Sequence, residues 1–175
     1  MAHLRRHAVR TDGPFTLRSG ATSAWYVDAR QTTFDGAGAA LVGEAIATVL
    51  DPDVTAVGGL TMGADPMAIA TAIASAANGR PLRAFSVRKE AKDHGIGGRL
   101  VGPVGEGDVA AVLEDTTTTG SAMFEAIGAL KEAGIRIAQV VALVDRSAGV
   151  AAANVEAIGI PYVSLVTPAD LGVLE

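Results

Sequence analysis

The stretch Ala110-Ala111-Val112-Leu113-Glu114-Asp115-Thr116-Thr117-Thr118-Thr119-Gly120-Ser121-Ala122 decides how the rest of the chain is read. Four apolar residues make a short buried strand, two acids follow at its carboxyl end, and a Thr/Gly/Ser loop opens into a helix. In open α/β sheets, ligands bind beyond the carboxyl ends of the strands. Backbone N–H groups at a helix start, together with Thr and Ser hydroxyls, suit a phosphate monoester. Adjacent carboxylates repel phosphate but suit the vicinal hydroxyls of a sugar. The stretch therefore reads as a place for a ribose beside its 5′-phosphate. A plain strand followed by a Thr-rich helix cap is the alternative. The absence of Lys or Arg next to the acids favours the first reading.

Outward from that stretch, apolar runs with β-branched residues alternate with Ala-rich helical segments. This is the pattern of an α/β domain with a central, mostly parallel sheet flanked by helices. Strands are predicted over residues 54–58, 82–87, 109–113, 137–144 and 162–166, and helices over 34–50, 65–78, 119–133 and 150–158. Pro66 sits where a first helical turn tolerates it, and Gly134 stops the third helix. Residues 15–26 alternate weakly around the turn Ser19-Gly20 and predict antiparallel strands flanking the main sheet. Residues 89–107 carry charge and glycine without an apolar period. They predict a long surface excursion, which in a compact domain is usually functional. No repeat, low-complexity tract or linker divides the 175 residues, so a single domain is expected.

Hydrophobic residues make up 49% of the chain, enough for one substantial core. A formal net charge of −5 argues against a nucleic-acid binder that works by neutralising many phosphates. Without cysteine there are no disulfides or thiolate metal sites. Arg5, Arg6 and Arg10 are not followed by an apolar run, so no secretory signal is expected. No apolar run approaches the roughly 18 residues of a membrane span. A cytoplasmic protein with no membrane partner is the expectation.

Three further stretches carry chemistry. In Arg88-Lys89-Glu90-Ala91-Lys92-Asp93-His94-Gly95, followed by Ile96-Gly97-Gly98-Arg99, cationic groups crowd together ahead of three glycines. A solvated charged face is one reading. A lid that brings positive charge to a polyanion is the other. In Gly58-Gly59-Leu60-Thr61-Met62-Gly63, glycines after a strand either make a tight strand-to-helix turn or let backbone N–H groups approach a ligand. Val144-Asp145-Arg146 ends a core strand with either a local ion pair or a guanidinium offered to a ligand. His3 and His7 stand at helical i, i+4 spacing without a third ligand, so no metal site is assigned to them. Trp25 could stack on a base but reads more simply as a wall.

The apolar run, two acids and Thr-Thr-Gly resemble the motif by which type I phosphoribosyltransferases bind phosphoribosyl pyrophosphate (PRPP). The resemblance implies their fold, with a small N-terminal hood mainly within residues 1–33. Glu114 and Asp115 would hold the ribose 2′- and 3′-hydroxyls. Thr116, Thr117, Thr118, Thr119, Gly120, Ser121 and Ala122 would wrap the 5′-phosphate, and Gly58 to Gly63 would bind pyrophosphate. Thr116 departs from the usual aliphatic residue and Ala122 from a frequent Ser.

The Arg88 to Gly95 run closely resembles the Arg-Lys-x-x-Lys-x-His-Gly flexible loop of orotate phosphoribosyltransferases, here about residues 88–107. By that resemblance Lys92 is the main catalytic lysine, and Arg88, Lys89 and His94 also contact the pyrophosphate. The loop would close over the neighbouring subunit's active site, which implies a homodimer. Arg146 would bind the carboxylate of orotate, with Thr118 adding a contact to the base. Phe15-Thr16-Leu17-Arg18-Ser19-Gly20 and Tyr26-Val27-Asp28-x-Arg30 resemble the family's hood, where Arg18 would approach PRPP. The likeness runs from about residue 15 to 171, and the segment ahead of it is shorter than in most relatives.

The implied reaction joins orotate to PRPP, giving orotidine 5′-monophosphate and pyrophosphate in pyrimidine synthesis. Mg²⁺ is expected, held mainly through substrate pyrophosphate and water, with no dedicated protein ligands. Transfer to another base, or a PRPP-sensing regulator without turnover, are the alternatives. The Lys/His loop and Arg146 speak against the first, and the retained loop cations against the second.

Overall fold

The structure is a computed structural model that describes residues 1–16, 20, 22–92 and 98–173, the side chain of Lys92 excepted. Arg18 and Ser19 of the expected hood, and Asp93, His94, Gly95, Ile96 and Gly97 of the expected lid, lie outside the described residues.

In chain order the elements are α1 (Ala2–His7), β1 (Val9–Arg10), β2 (Phe15–Thr16), β3 (Thr22–Ser23), β4 (Tyr26–Val27), α2 (Arg30–Thr33) and α3 (Gly36–Val49). There follow β5 (Ala56–Leu60), α4 (Ala64–Ala77), β6 (Arg83–Lys92), β7 (Gly98–Val101), β8 (Val109–Thr117) and α5 (Ser121–Glu132). The chain ends through β9 (Arg136–Asp145), α6 (Val150–Glu156), β10 (Tyr162–Val166) and α7 (Pro168–Leu171).

A six-stranded sheet in the order β10-β9-β8-β5-β6-β7 forms the centre. Neighbours are parallel except at the β6–β7 edge, where β7 turns back antiparallel. Parallel strands are covered on both faces, and β8 shows how the sequence meets that demand. Ala111 and Leu113 join one core with Val57, Ile46 of α3 and Met67 of α4. Ala110 and Val112, the alternate residues, join a second core with Met123, Ile127 and Leu130 of α5 and Val155 of α6. Between β5 and β8 the connections leave in opposite directions, β5 leading through α4 to β6 and β8 through α5 to β9. That switch opens a crevice at the carboxyl ends of β5 and β8, where a ligand finds room.

The sheet is longer than the sequence suggested at two places. β8 carries on through both acids to Thr117, because β-branched Thr116 and Thr117 suit a strand and pair with Val144 and Asp145 of β9. β6 runs to Lys92 because β7 supplies a partner, Val87 facing Leu100 and Lys92 facing Gly98. Much of the expected surface excursion is therefore paired strand. The helix expected from residue 119 starts at Ser121, after Gly120 adopts a left-handed φ of 84°.

The hood strands are antiparallel, as expected. They form two separate two-stranded sheets, β1 with β4 and β2 with β3, and do not join the main sheet. α1 and β4 are fixed by Leu4, Trp25 and Val27, which enter the first core. His3 is bonded at 3.2 Å to the Thr32 hydroxyl and at 3.1 Å to Asp35, the residue whose carboxylate caps α3. It thus ties α1 to α3. No helix among the described residues is long and apolar enough to cross a membrane.

Candidate functional site

The crevice at the switch point is a polar cleft of about 520 Å³. Its floor is the end of β8, with Glu114, Asp115 and Thr116, and Ala122 of α5. One wall is the turn Thr61-Met62-Gly63 after β5. The hood supplies Tyr26, Asp28 and Arg30, while Lys89 of β6 and Arg146 after β9 bring further positive charge.

Close packing explains the glycines of β5 better than ligand approach does. Gly58 and Gly59 lie buried inside the strand. A Cβ on Gly59 would overlap the Leu113 carbonyl of β8 and come within 2.9 Å of the Ala64 side chain. Of the three glycines of the expected turn only Gly63 lines the cleft, where a Cβ would lie 2.7 Å from the Asp115 carboxylate. Thr61 braces the turn, donating its hydroxyl to Asp65 at 2.7 Å and its N–H to the Val87 carbonyl at 2.8 Å.

Burial dominates the electrostatics of the two acids. Burial, with the neighbouring charges of Asp115 and Glu125, pushes the Glu114 carboxyl up to about 8. Burial also raises the Asp115 carboxyl, opposed by the N–H of Thr116 and the charge of Arg30. Both line the cleft as groups that gain from hydrogen-bond donors or a cation. Asp28 is the contrast: burial pushes its carboxyl up, but hydrogen bonds from Arg30 and Gln31 and the Arg30 charge outweigh it and hold it low.

One consequence concerns stability. The Glu114 carboxyl titrates near 8 in the folded chain against about 4.5 otherwise, so the folded state holds its proton more tightly between those values. Its contribution is fully present below about pH 4.5 and is lost as pH rises through about 8. Glu114→Gln removes that loss. Urea unfolding should find the variant more stable than the parent at pH 8.5 by on the order of 2–4 kcal/mol, with the difference closing near pH 5. An unchanged gap at the two pH values would contradict the assignment.

No family model matches the sequence. The orotate phosphoribosyltransferase of Streptomyces avermitilis is 49% identical over 152 residues, covering 86% of this chain and 83% of that protein. The chain belongs to the orotate phosphoribosyltransferase family. Solved structures agree with this. The Mycobacterium tuberculosis orotate phosphoribosyltransferase in complex with Fe(III) dicitrate superposes with a TM-score of 0.87 at 41% identity, covering 97% of this chain and 95% of that one. The same protein in complex with PRPP gives 0.82 at 37% identity, covering 98% and 96%. Like other orotate phosphoribosyltransferases, this chain is a transferase.

Of the residues expected from sequence, Lys89, Glu114, Asp115, Thr116, Ala122 and Arg146 come together in one cleft. Thr118, Thr119 and Ser121 are exposed at the turn into α5, and Gly120 is the buried N-cap, with no side-chain cap bond. Thr117 is buried within β8 at 2% exposure, so only its backbone is offered to the turn. Arg88 donates to the Gly98 carbonyl at 3.3 Å, bridging the hairpin of β6 and β7. The Lys92 side chain and all of His94 and Arg18 lie outside the described residues.

Asp28 and Arg30 gained no role from the sequence beyond the hood pattern, yet both line the cleft. Their signal was an Asp two residues ahead of an Arg at a helix start. Asp28 accepts from the Arg30 N–H at 3.2 Å and from its Nε at 2.7 Å. Tyr162 carried no signal at all. Its hydroxyl donates to Asp145 at 2.9 Å, and Asp145 also accepts from the Ser147 N–H at 2.7 Å.

Proposed function

We propose that the chain transfers the phosphoribosyl group of PRPP to orotate, giving orotidine 5′-monophosphate and pyrophosphate in de novo pyrimidine (UMP) synthesis. The observation that carries this is that the Glu114–Asp115 pair and Arg146 open into one cleft at the β5/β8 switch point. Buried carboxylates suit a ribose diol, whose O–H groups donate to them. A guanidinium suits a carboxylate on the base, which it can meet with two parallel hydrogen bonds. The unpaired start of α5 and the Thr118 to Ser121 turn suit the 5′-phosphate, and Thr118 would add a contact to the base.

As the bond between the anomeric carbon and the pyrophosphate oxygen breaks, negative charge grows on pyrophosphate. Lys89, and with it Arg88, Lys92 and His94, would stabilise that charge. Orotate's ring nitrogen is acidic enough to attack without a strong protein base.

Mg²⁺ is the proposed cofactor. The adjacent carboxylates fit an ion carried in by substrate. Among the described residues no group of three or more His, Cys, Asp or Glu side chains is placed to hold one alone. The ion would neutralise charge on the leaving pyrophosphate.

The working unit is proposed to be a homodimer, with the region of residues 88–107 reaching the neighbouring active site. Ile69 and Ile73, 57% and 66% exposed one turn apart on α4, supply an apolar face for such a contact. A cytoplasmic location goes with these metabolites, and cell fractionation would check it.

Arg146→Ala tests the base assignment. It should raise the orotate KM by about 30-fold or more while the PRPP KM stays within about threefold, as expected for losing a bidentate charge-assisted contact. Equal rises in both constants would sink it.

A further inference from the structure

We propose that Trp25 is a positioning residue that sets the plane of the Arg146 guanidinium, and through it the preference for a base bearing a carboxylate. This rests on reading Arg146 as the base-binding residue. The Arg146 Cζ lies 4.1 Å from the centroid of the Trp25 ring. Trp25 is only 3% exposed and is not among the residues that line the cleft, so it reaches a ligand through Arg146 and does not stack on a base itself.

The indole is a fixed surface. It packs in the same core as Leu4, Ala8, Val27 and Ala29. The Ser23 hydroxyl donates to the Trp25 carbonyl at 2.8 Å and accepts from the Trp25 N–H at 3.4 Å, holding the backbone just ahead of β4. Val27 then pairs with Val9 across the hood.

Arg146 is held at its backbone as well. Its backbone N–H donates to the Thr117 carbonyl at 2.9 Å. Asp145, one residue earlier, is anchored by Ser147 and Tyr162. The side chain thus leaves a pinned strand end and lays its head on a pinned ring.

Stacking uses the face of a guanidinium and directs its N–H groups outward in its own plane. A planar carboxylate is met with two parallel hydrogen bonds only when it shares that plane. The hood therefore determines the angle at which a base with a carboxylate is received, although the arginine itself belongs to the core. A base without a carboxylate gains nothing from this alignment.

Steady-state kinetics with orotate and PRPP, and inhibition by uracil as a base lacking the carboxylate, test the proposal in Trp25→Leu, Trp25→Phe and Arg146→Ala. Trp25→Leu should raise the orotate KM about tenfold while leaving the PRPP KM and the uracil inhibition constant within about twofold. Trp25→Phe keeps an aromatic face and should recover most of the loss. Combined with Arg146→Ala, Trp25→Leu should add no further rise in orotate KM. A rise shared equally by orotate, PRPP and uracil, or one that persists undiminished without Arg146, would overturn the proposal. Should Trp25→Leu not fold, Trp25→Met against Trp25→Phe decides on the same criteria. Arg146→Ala leaving the orotate KM unchanged would overturn the reading of Arg146. A selective Arg146 effect with no Trp25 effect would overturn the role of Trp25 alone.

Discussion

Lys92→Ala is expected to lower kcat by about a hundred- to a thousandfold, with a much smaller rise in the PRPP KM. Charge on the pyrophosphate is greatest as the ribose–oxygen bond breaks, so a cation brought up at that moment stabilises the transition state more than the bound substrate. The backbone of β6 runs on to Lys92, three residues past Lys89, whose side chain lines the cleft. A loss confined to the PRPP KM would make Lys92 a binding residue only.

The same variant tests the dimer. If the segment after β6 completes the partner's site, equal amounts of Lys92→Ala and Arg146→Ala chains, mixed and reassociated, should recover up to about a quarter of the parent activity. Half the dimers are then mixed, and each holds one intact site. No recovery in mixed dimers would place the lysine in its own subunit's cleft.

Gly59→Val should destabilise the fold by about 3 kcal/mol or more, seen as a lower urea midpoint with an unchanged slope. β5 runs between β6 and β8 and is buried along its whole length. At Gly59 any Cβ meets the Leu113 carbonyl of β8, which backbone pairing prevents from moving aside. A valine accommodated at less than about 1 kcal/mol would show that the β5–β8 contact, and the crevice above it, is looser than described.

The sequence was most legible where local pattern and chemistry coincide. Residues 110–113 alternate between two cores, and the acids that follow stand where the strand leaves those cores for the cleft. The helices and the parallel order followed from the same alternation of runs.

The β6–β7 hairpin was not legible, because Lys89 to Lys92 has no apolar period and becomes strand only through a partner that folds back on it. Gly58 and Gly59 read as a turn because their role is close approach between strands, which leaves no hydrophobic mark. Thr116 and Thr117 read as loop because a phosphate-binding reading claimed them. Their pairing with Val144 and Asp145 makes them strand. The contact of Trp25 with Arg146 joins hood and core across most of the chain, and no local pattern announces it.

The most direct measurement is the loss of orotate absorbance when the purified protein is mixed with orotate, PRPP and Mg²⁺. Steady turnover that stops when Mg²⁺ is chelated and collapses in Lys92→Ala is the expected result. PRPP binding without any consumption of orotate would contradict the assignment, and would leave transfer to another base or PRPP sensing in its place.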